Sequence, residues 1–233
     1  MIISIFKICL IFCVIKICVS LEKGCTMSDL DKIMEKIATF QLEFPENDNK
    51  INSHCRKYPS DIRNTRSFIK NCTKDASKTL MSVSVHSIEK IYKSMCRTTS
   101  DKSKFVRLSK CTNKDKKANK KCWYHMIDSL TLIANKAESK LKIPLMCCTM
   151  ISWKACGITV LEKNGSQHCS NKDVETMDAF YDKAMIDPMN IFCADYVDSD
   201  LCQSVNQKMP KQALTRSKFA TPFPAVIEVF DKL

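Results

Sequence analysis

Four histidines, His54, His86, His125 and His168, are the side chains best suited to proton transfer or metal binding near neutral pH. They are 32, 39 and 43 residues apart, so no H-E-x-x-H zinc pair exists. The chain has three glycines, Gly24, Gly157 and Gly165. That scarcity removes the G-x-S-x-G nucleophile elbow, glycine-rich phosphate loops and the dinucleotide-binding fingerprint. It also disfavours an all-β fold, whose turns draw on glycine. Aspartate and glutamate are plentiful, but no pair stands in a telling context. Each histidine reads most simply as a surface or satisfied core residue. No catalytic residue, metal ligand or cofactor is expected, although an extracellular enzyme whose site assembles only in the fold stays open as a rival.

Cysteine is the other residue type with chemistry. The stretch CCTMISWKACG, residues 147–157, places Cys147 and Cys148 eight residues before Cys156. Paired cysteines opening a helix resemble the catalytic segment of secreted phospholipases A2. That family needs a histidine and an aspartate just after the pair, and a glycine-rich calcium loop before it. Here Thr149, Met150, Ile151, Ser152 and Trp153 follow, so the calcium-activated water has neither base nor metal site. No C-x-x-C redox or zinc pair occurs either. Ile151 and Trp153 are candidates for the packed side of this segment, and Gly157 is a candidate interruption.

What these cysteines do depends on compartment. Residues 1–20, MIISIFKICLIFCVIKICVS, are apolar, with Lys7 and Lys16 as the only charges and small residues Cys18 and Ser20 before a cleavage point. This is the pattern of a secretory signal peptide. After residue 20 no segment is expected to be long or apolar enough to span a membrane, which takes about 20 apolar residues. Cleavage leaves Cys25, Cys55, Cys72, Cys96, Cys111, Cys122, Cys147, Cys148, Cys156, Cys169, Cys193 and Cys202. An even set in a secreted chain implies a disulfide framework of up to six bridges. Two sequons, Asn71-Cys72-Thr73 and Asn164-Gly165-Ser166, are candidate N-glycosylation sites.

The elements that must carry these bridges read as helices. Apolar residues recur every three or four positions in 27–44 (Leu30, Ile33, Ile37, Phe40, Phe44), 75–96, 122–141 and 171–186. Ser28 with Asp31, and Ser170 with Asp173, look like capping pairs. Shorter helices are expected at 60–72, 103–111 and 145–162. PENDNKINSH, residues 45–54, reads as a linker. The stripes read as core packing rather than as a membrane face. Cys72 and Cys96 lie 24 residues apart, as do Cys169 and Cys193. One helix of that length separates its ends by about 36 Å, whereas a disulfide needs Cα atoms within about 7 Å. Each of these cysteines must therefore bridge to a neighbouring helix, and adjacent Cys147 and Cys148 are expected to take different partners. The expected fold is all-α, a disulfide-stapled multi-helix secreted domain over residues 21–202. A cysteine-free C-terminal tail, 203–233, follows, and its apolar run Ala225–Phe230 is available to dock on the body.

The formal charge of +12 becomes +10 without Lys7 and Lys16. Its densest part is residues 102–121, with Lys102, Lys104, Arg107, Lys110, Lys114, Lys116, Lys117, Lys120 and Lys121 against Asp115 alone. A sulfated glycan could bind such a run by counterion release. A solvated loop between two helices is the plainer reading. Nucleic acid is not an expected partner of a secreted chain, and the run carries a single aromatic residue, Phe105.

The cysteine and helix spacing between Cys55 and Cys202 resembles the 27 kDa haemolymph glycoprotein family of arthropods. The resemblance lies in the Cys-to-Cys helix 72–96, the close pair Cys111 and Cys122, and the later series Cys147, Cys148, Cys156, Cys169, Cys193, Tyr196 and Cys202. The doubled cysteine is similar to arachnid-type members. The resemblance implies an extracellular, N-glycosylated helical protein with no enzyme activity, and it assigns no binding residues. The basic charge departs from members that are acidic. Taken together, these readings lead to a secreted non-enzymatic protein of body fluid or a gland secretion such as saliva or venom. Its expected partner is an apolar small molecule held between helices, or an anionic glycan. An extracellular matrix component associating through the tail is the third possibility.

Overall fold

Every element of secondary structure among the described residues is helical. The computed structural model describes residues 24–38, 42–73, 75–196 and 199–233, without the side chains of 164–168 and 199. The expected signal peptide, 1–20, lies outside the described residues, as do Phe40 and the side chains of Asn164 and His168.

Helix α1 spans Met27–Ala38. Its cap differs from the expected Ser28/Asp31 pair. Thr26 and Asp29 form the reciprocal cap, with Asp29 N–H donating to Thr26 Oγ1 (3.1 Å) and Thr26 Oγ1 donating to Asp29 (2.6 Å). Asp31 is buried instead and serves another part of the chain, described below. Helix α2 spans Asp48–Cys72, so most of the expected linker 45–54 is helical. Asn47 accepts from Lys50 N–H at 2.9 Å, and fully buried Ile51 anchors the otherwise polar first turns. One apolar anchor and one cap suffice where the sequence shows no stripe.

Helix α3, Asp75–Cys96, occupies the expected range. Helix α4, Thr99–Thr112, is capped by Thr98, and helix α5, Lys116–Lys136, by Asp115. Residues 102–121 are therefore mostly helical, which corrects the reading of that run as a loop. Helix α6 spans Ser139–His168, far longer than the expected 145–162. Pro144 sits in its second turn at the cost of a backbone hydrogen bond. Gly157 does not interrupt it. A Cβ there would lie 3.2 Å from the Tyr181 ring, so glycine permits a close approach rather than a break. The stretch Ser139–Lys163 is long and apolar enough, by length and composition, to cross a membrane. This corrects the expectation that no such segment follows residue 20. Its apolar length packs against other helices of the domain.

Helix α7, Asn171–Tyr181, begins at the expected Ser170/Asp173 capping box. It continues through a π turn, Asp182–Ile186, into α8, Asp187–Cys193, and a 3-10 turn, Ala194–Tyr196. Helix α9 is Ser199–Asn206, so the boundary drawn after Cys202 falls inside a helix. The last cysteine marks a bridge, not an element's end. After an extended crossing, α10, Phe223–Asp231, packs among α1, α3, α5 and α6 with Phe223, Ala225, Val226, Ile227, Val229 and Phe230 buried.

Six disulfides join the elements: Cys25–Cys72, Cys55–Cys96, Cys111–Cys169, Cys122–Cys156, Cys147–Cys193 and Cys148–Cys202. Their Cα separations run from 4.8 to 5.9 Å. Neither 24-residue pair is joined to itself, and Cys147 and Cys148 take different partners. Such a framework fits an oxidising, extracellular compartment. Asn71 is exposed in the last turn of α2, beside bridged Cys72.

Candidate functional site

A groove of about 760 Å³ lies between α3, α4 and the α7–π-turn stretch. Ile91, Phe105, Leu108 and Phe180 make its apolar floor, and Ser87, Ser94 and Thr176 its hydroxyl-bearing walls. Lys90, Lys183 and Asp187 stand at the rim, all exposed. Among the described residues neither lysine is in an ion pair.

Local geometry explains this arrangement. Ser87, Lys90, Ile91 and Ser94 follow the i, i+3, i+4, i+7 spacing that puts side chains on one face of α3. This face is distinct from the core stripe of Leu80, Ile88, Tyr92 and Met95. On the opposite wall the π turn brings Lys183 and Asp187 to the groove, with Asp187 N–H donating to Asp182 O five residues back. π turns are frequent at functional sites. Lys154 of α6 secures it, with Nζ 2.6 Å from Asp182 and 3.0 Å from Asp178. Partial burial works against the Lys154 ammonium, but hydrogen bonds to Asp182 and Asp178 outweigh it and raise its pKa. Phe180 lies edge-on to Phe44 at 5.4 Å, tying the floor to the core.

Part of the basic run is engaged by neighbouring side chains. Lys102 donates to Asn52 at 2.8 Å, and Lys104 lies 3.6 Å from Asp101. Lys116 bridges Glu43 (2.8 Å) and Glu46 (3.0 Å). Hydrogen bonds from Lys116, Lys50 and Asn113 hold the Glu46 carboxyl down at about 2. Arg107 lies near enough to Asp173 to favour its ionised form. Lys110, Lys114, Lys117, Lys120 and Lys121 are exposed, divided between the end of α4, the turn and the start of α5.

The three histidines whose side chains are described, His54, His86 and His125, form no metal-type group. His54 Nε2 lies 2.9 Å from Tyr92 Oη, and burial lowers its pKa. Tyr92 in turn donates to Ile37 O at 3.2 Å and stacks on Tyr58. Burial raises the Tyr92 pKa. His86 and His125 are exposed. Among the described residues no three of His, Cys, Asp and Glu are grouped to hold a metal. A polar cleft of about 460 Å³ gathers Glu35, Glu43 and His54 with Lys50, Lys120 and Tyr124.

Sequence reasoning reached neither Lys90 nor Lys183, nor the aromatic floor. The α3 face follows a helical spacing, but Phe105 comes from the next helix and Phe180 from one far along the chain. No protein-family model, curated protein or solved structure matches this chain.

Proposed function

We propose that this is a secreted, non-enzymatic carrier that holds an amphiphile with an acidic head group, such as a long-chain fatty acid, in the groove between α3, α4 and α7. The observation that carries the reading is an apolar floor whose rim bears, beside Asp187, two lysines without ion-pair partners among the described residues. The groove's volume lies within the range of about 300–1,000 Å³ common for small-molecule sites. Lys90 and Lys183 would meet a carboxylate by charge-assisted hydrogen bonds, stronger than neutral ones. Ile91, Phe105, Leu108 and Phe180 would take the chain, whose removal from water supplies about 25 cal/mol per Å² of apolar surface. The disulfide framework and the resemblance to haemolymph glycoproteins support the extracellular setting and the lack of catalysis.

Displacement of a dansyl fatty acid by oleate and by oleyl alcohol tests this. Wild type is expected to bind oleate at least tenfold tighter than the alcohol. Lys90→Ala/Lys183→Ala is expected to erase that preference while leaving the alcohol unaffected. Absence of dansyl-lipid binding, or a double variant that keeps the wild-type preference for oleate, defeats the reading.

A further inference from the structure

A second cavity, about 260 Å³, lies between α5, α6 and the end of α9. Its lining is mostly apolar, from Met126, Trp153, Met209 and the Cys122–Cys156 disulfide. Apart from exposed His125, no titratable group lines it. Trp153 is held edge-on between Trp123 (5.7 Å) and Tyr181 (5.0 Å), which makes that wall rigid.

Thr149, midway along α6, is 7% exposed, lines this cavity, and its hydroxyl oxygen is buried without a hydrogen-bond partner. This differs from other helical threonines of the chain. Thr65, Thr112, Thr131 and Thr176 each donate to the carbonyl four residues back, at 2.8, 3.2, 2.9 and 2.6 Å. That local bond is the usual refuge of a mid-helix hydroxyl. Buried polar groups are otherwise nearly always paired, and an orphan at the wall of a cavity points to a partner from outside the chain.

We infer that this cavity is a second binding site, for a small neutral molecule with one aromatic ring and one hydroxyl or N–H group. A cavity of about 150 Å³ holds a benzene ring, so this one has room for a ring and a short substituent. The ring packs against Trp153, Met126 and Met209, and the polar group pairs with Thr149. With no lysine, arginine or carboxylate on the lining, a charged ligand would be desolvated without compensation. The site shares no residue with the groove, so its fate is independent of the carrier reading.

The test is calorimetric titration of the intact, disulfide-bonded protein with p-cresol and with toluene, with Trp153 indole shifts followed by NMR. Wild type is expected to bind p-cresol at least fivefold tighter than toluene and to shift the Trp153 resonance. Thr149→Val, which keeps the shape, is expected to bind the two equally, whereas Thr149→Ser keeps the preference. The inference is overturned if wild type binds neither probe, which would leave the hydroxyl to water. It is also overturned if Thr149→Val retains the full preference for p-cresol.

Discussion

Helix α6 and the last stretch of the chain both end up against the core, yet they are held there by different means. Helix α6 carries three cysteines, bridged to α5, α8 and α9. Beyond Cys202 the chain has no covalent tie. It is fastened by packing and by a series of specific hydrogen bonds. Asp31 accepts from the backbone of Ala220 and Thr221, both at 2.8 Å, and from the Thr221 hydroxyl at 2.7 Å. Asp128 accepts from Ser217 N–H at 2.8 Å, and Arg216 lies over the Tyr124 ring. Trp123 donates its indole N–H to Ala220 O at 2.8 Å. Buried Lys142 of α6 donates to Lys232 O, at the end where the α10 dipole is negative. The difference teaches that bridges and central position are separate matters. A bridge restricts the unfolded chain, whereas α10 contributes only once its neighbours are in place around it.

Three substitutions probe that contrast. Phe223→Ala, at a side chain 4% exposed, should cost about 3–5 kcal/mol, read from urea unfolding. A loss below 1 kcal/mol would mean that α10 is peripheral. Replacing Cys122 and Cys156 together by serine should cost about 2–4 kcal/mol in the same experiment. The cost should vanish when wild type and variant are compared under reduction; a cost that persists would assign the bridge a packing role. Asp31→Asn should cost about 1–3 kcal/mol, because one oxygen can no longer accept from donors it leaves buried. It should also speed tryptic cleavage at exposed Lys211 and Arg216 relative to sites in α6. Unchanged cleavage would show that packing of α10 alone holds the crossing.

The helices with a single stripe, such as 75–96 and 171 onward, were legible because their apolar spacing is local. The exclusion of Cys72–Cys96 and Cys169–Cys193 followed from helix rise alone. Three features were not legible, each for a physical reason. The start of α2 lacks a stripe because Ile51 alone is buried there. Asp31 looked like a capping residue because its partners, Ala220 and Thr221, are 189 and 190 positions away. The groove joins faces of α3, α4 and α7 that meet only after folding, and the widened turn at Asp182–Ile186 has no composition signal. The apolar run Ala225–Phe230 was visible as something that could dock. That it fills the middle of the domain is a fact of tertiary packing.

The central placing of α10 also sets an order of events in biosynthesis. A chain emerging at about 5–20 residues per second exposes every other described helix before α10 exists. All twelve bridging cysteines, the last at Cys202, can meet an oxidant while the slot between α1, α3, α5 and α6 is still empty. Bridges formed then must leave that slot open, and the nascent domain presents bare apolar walls to its surroundings until its final helix arrives to close them.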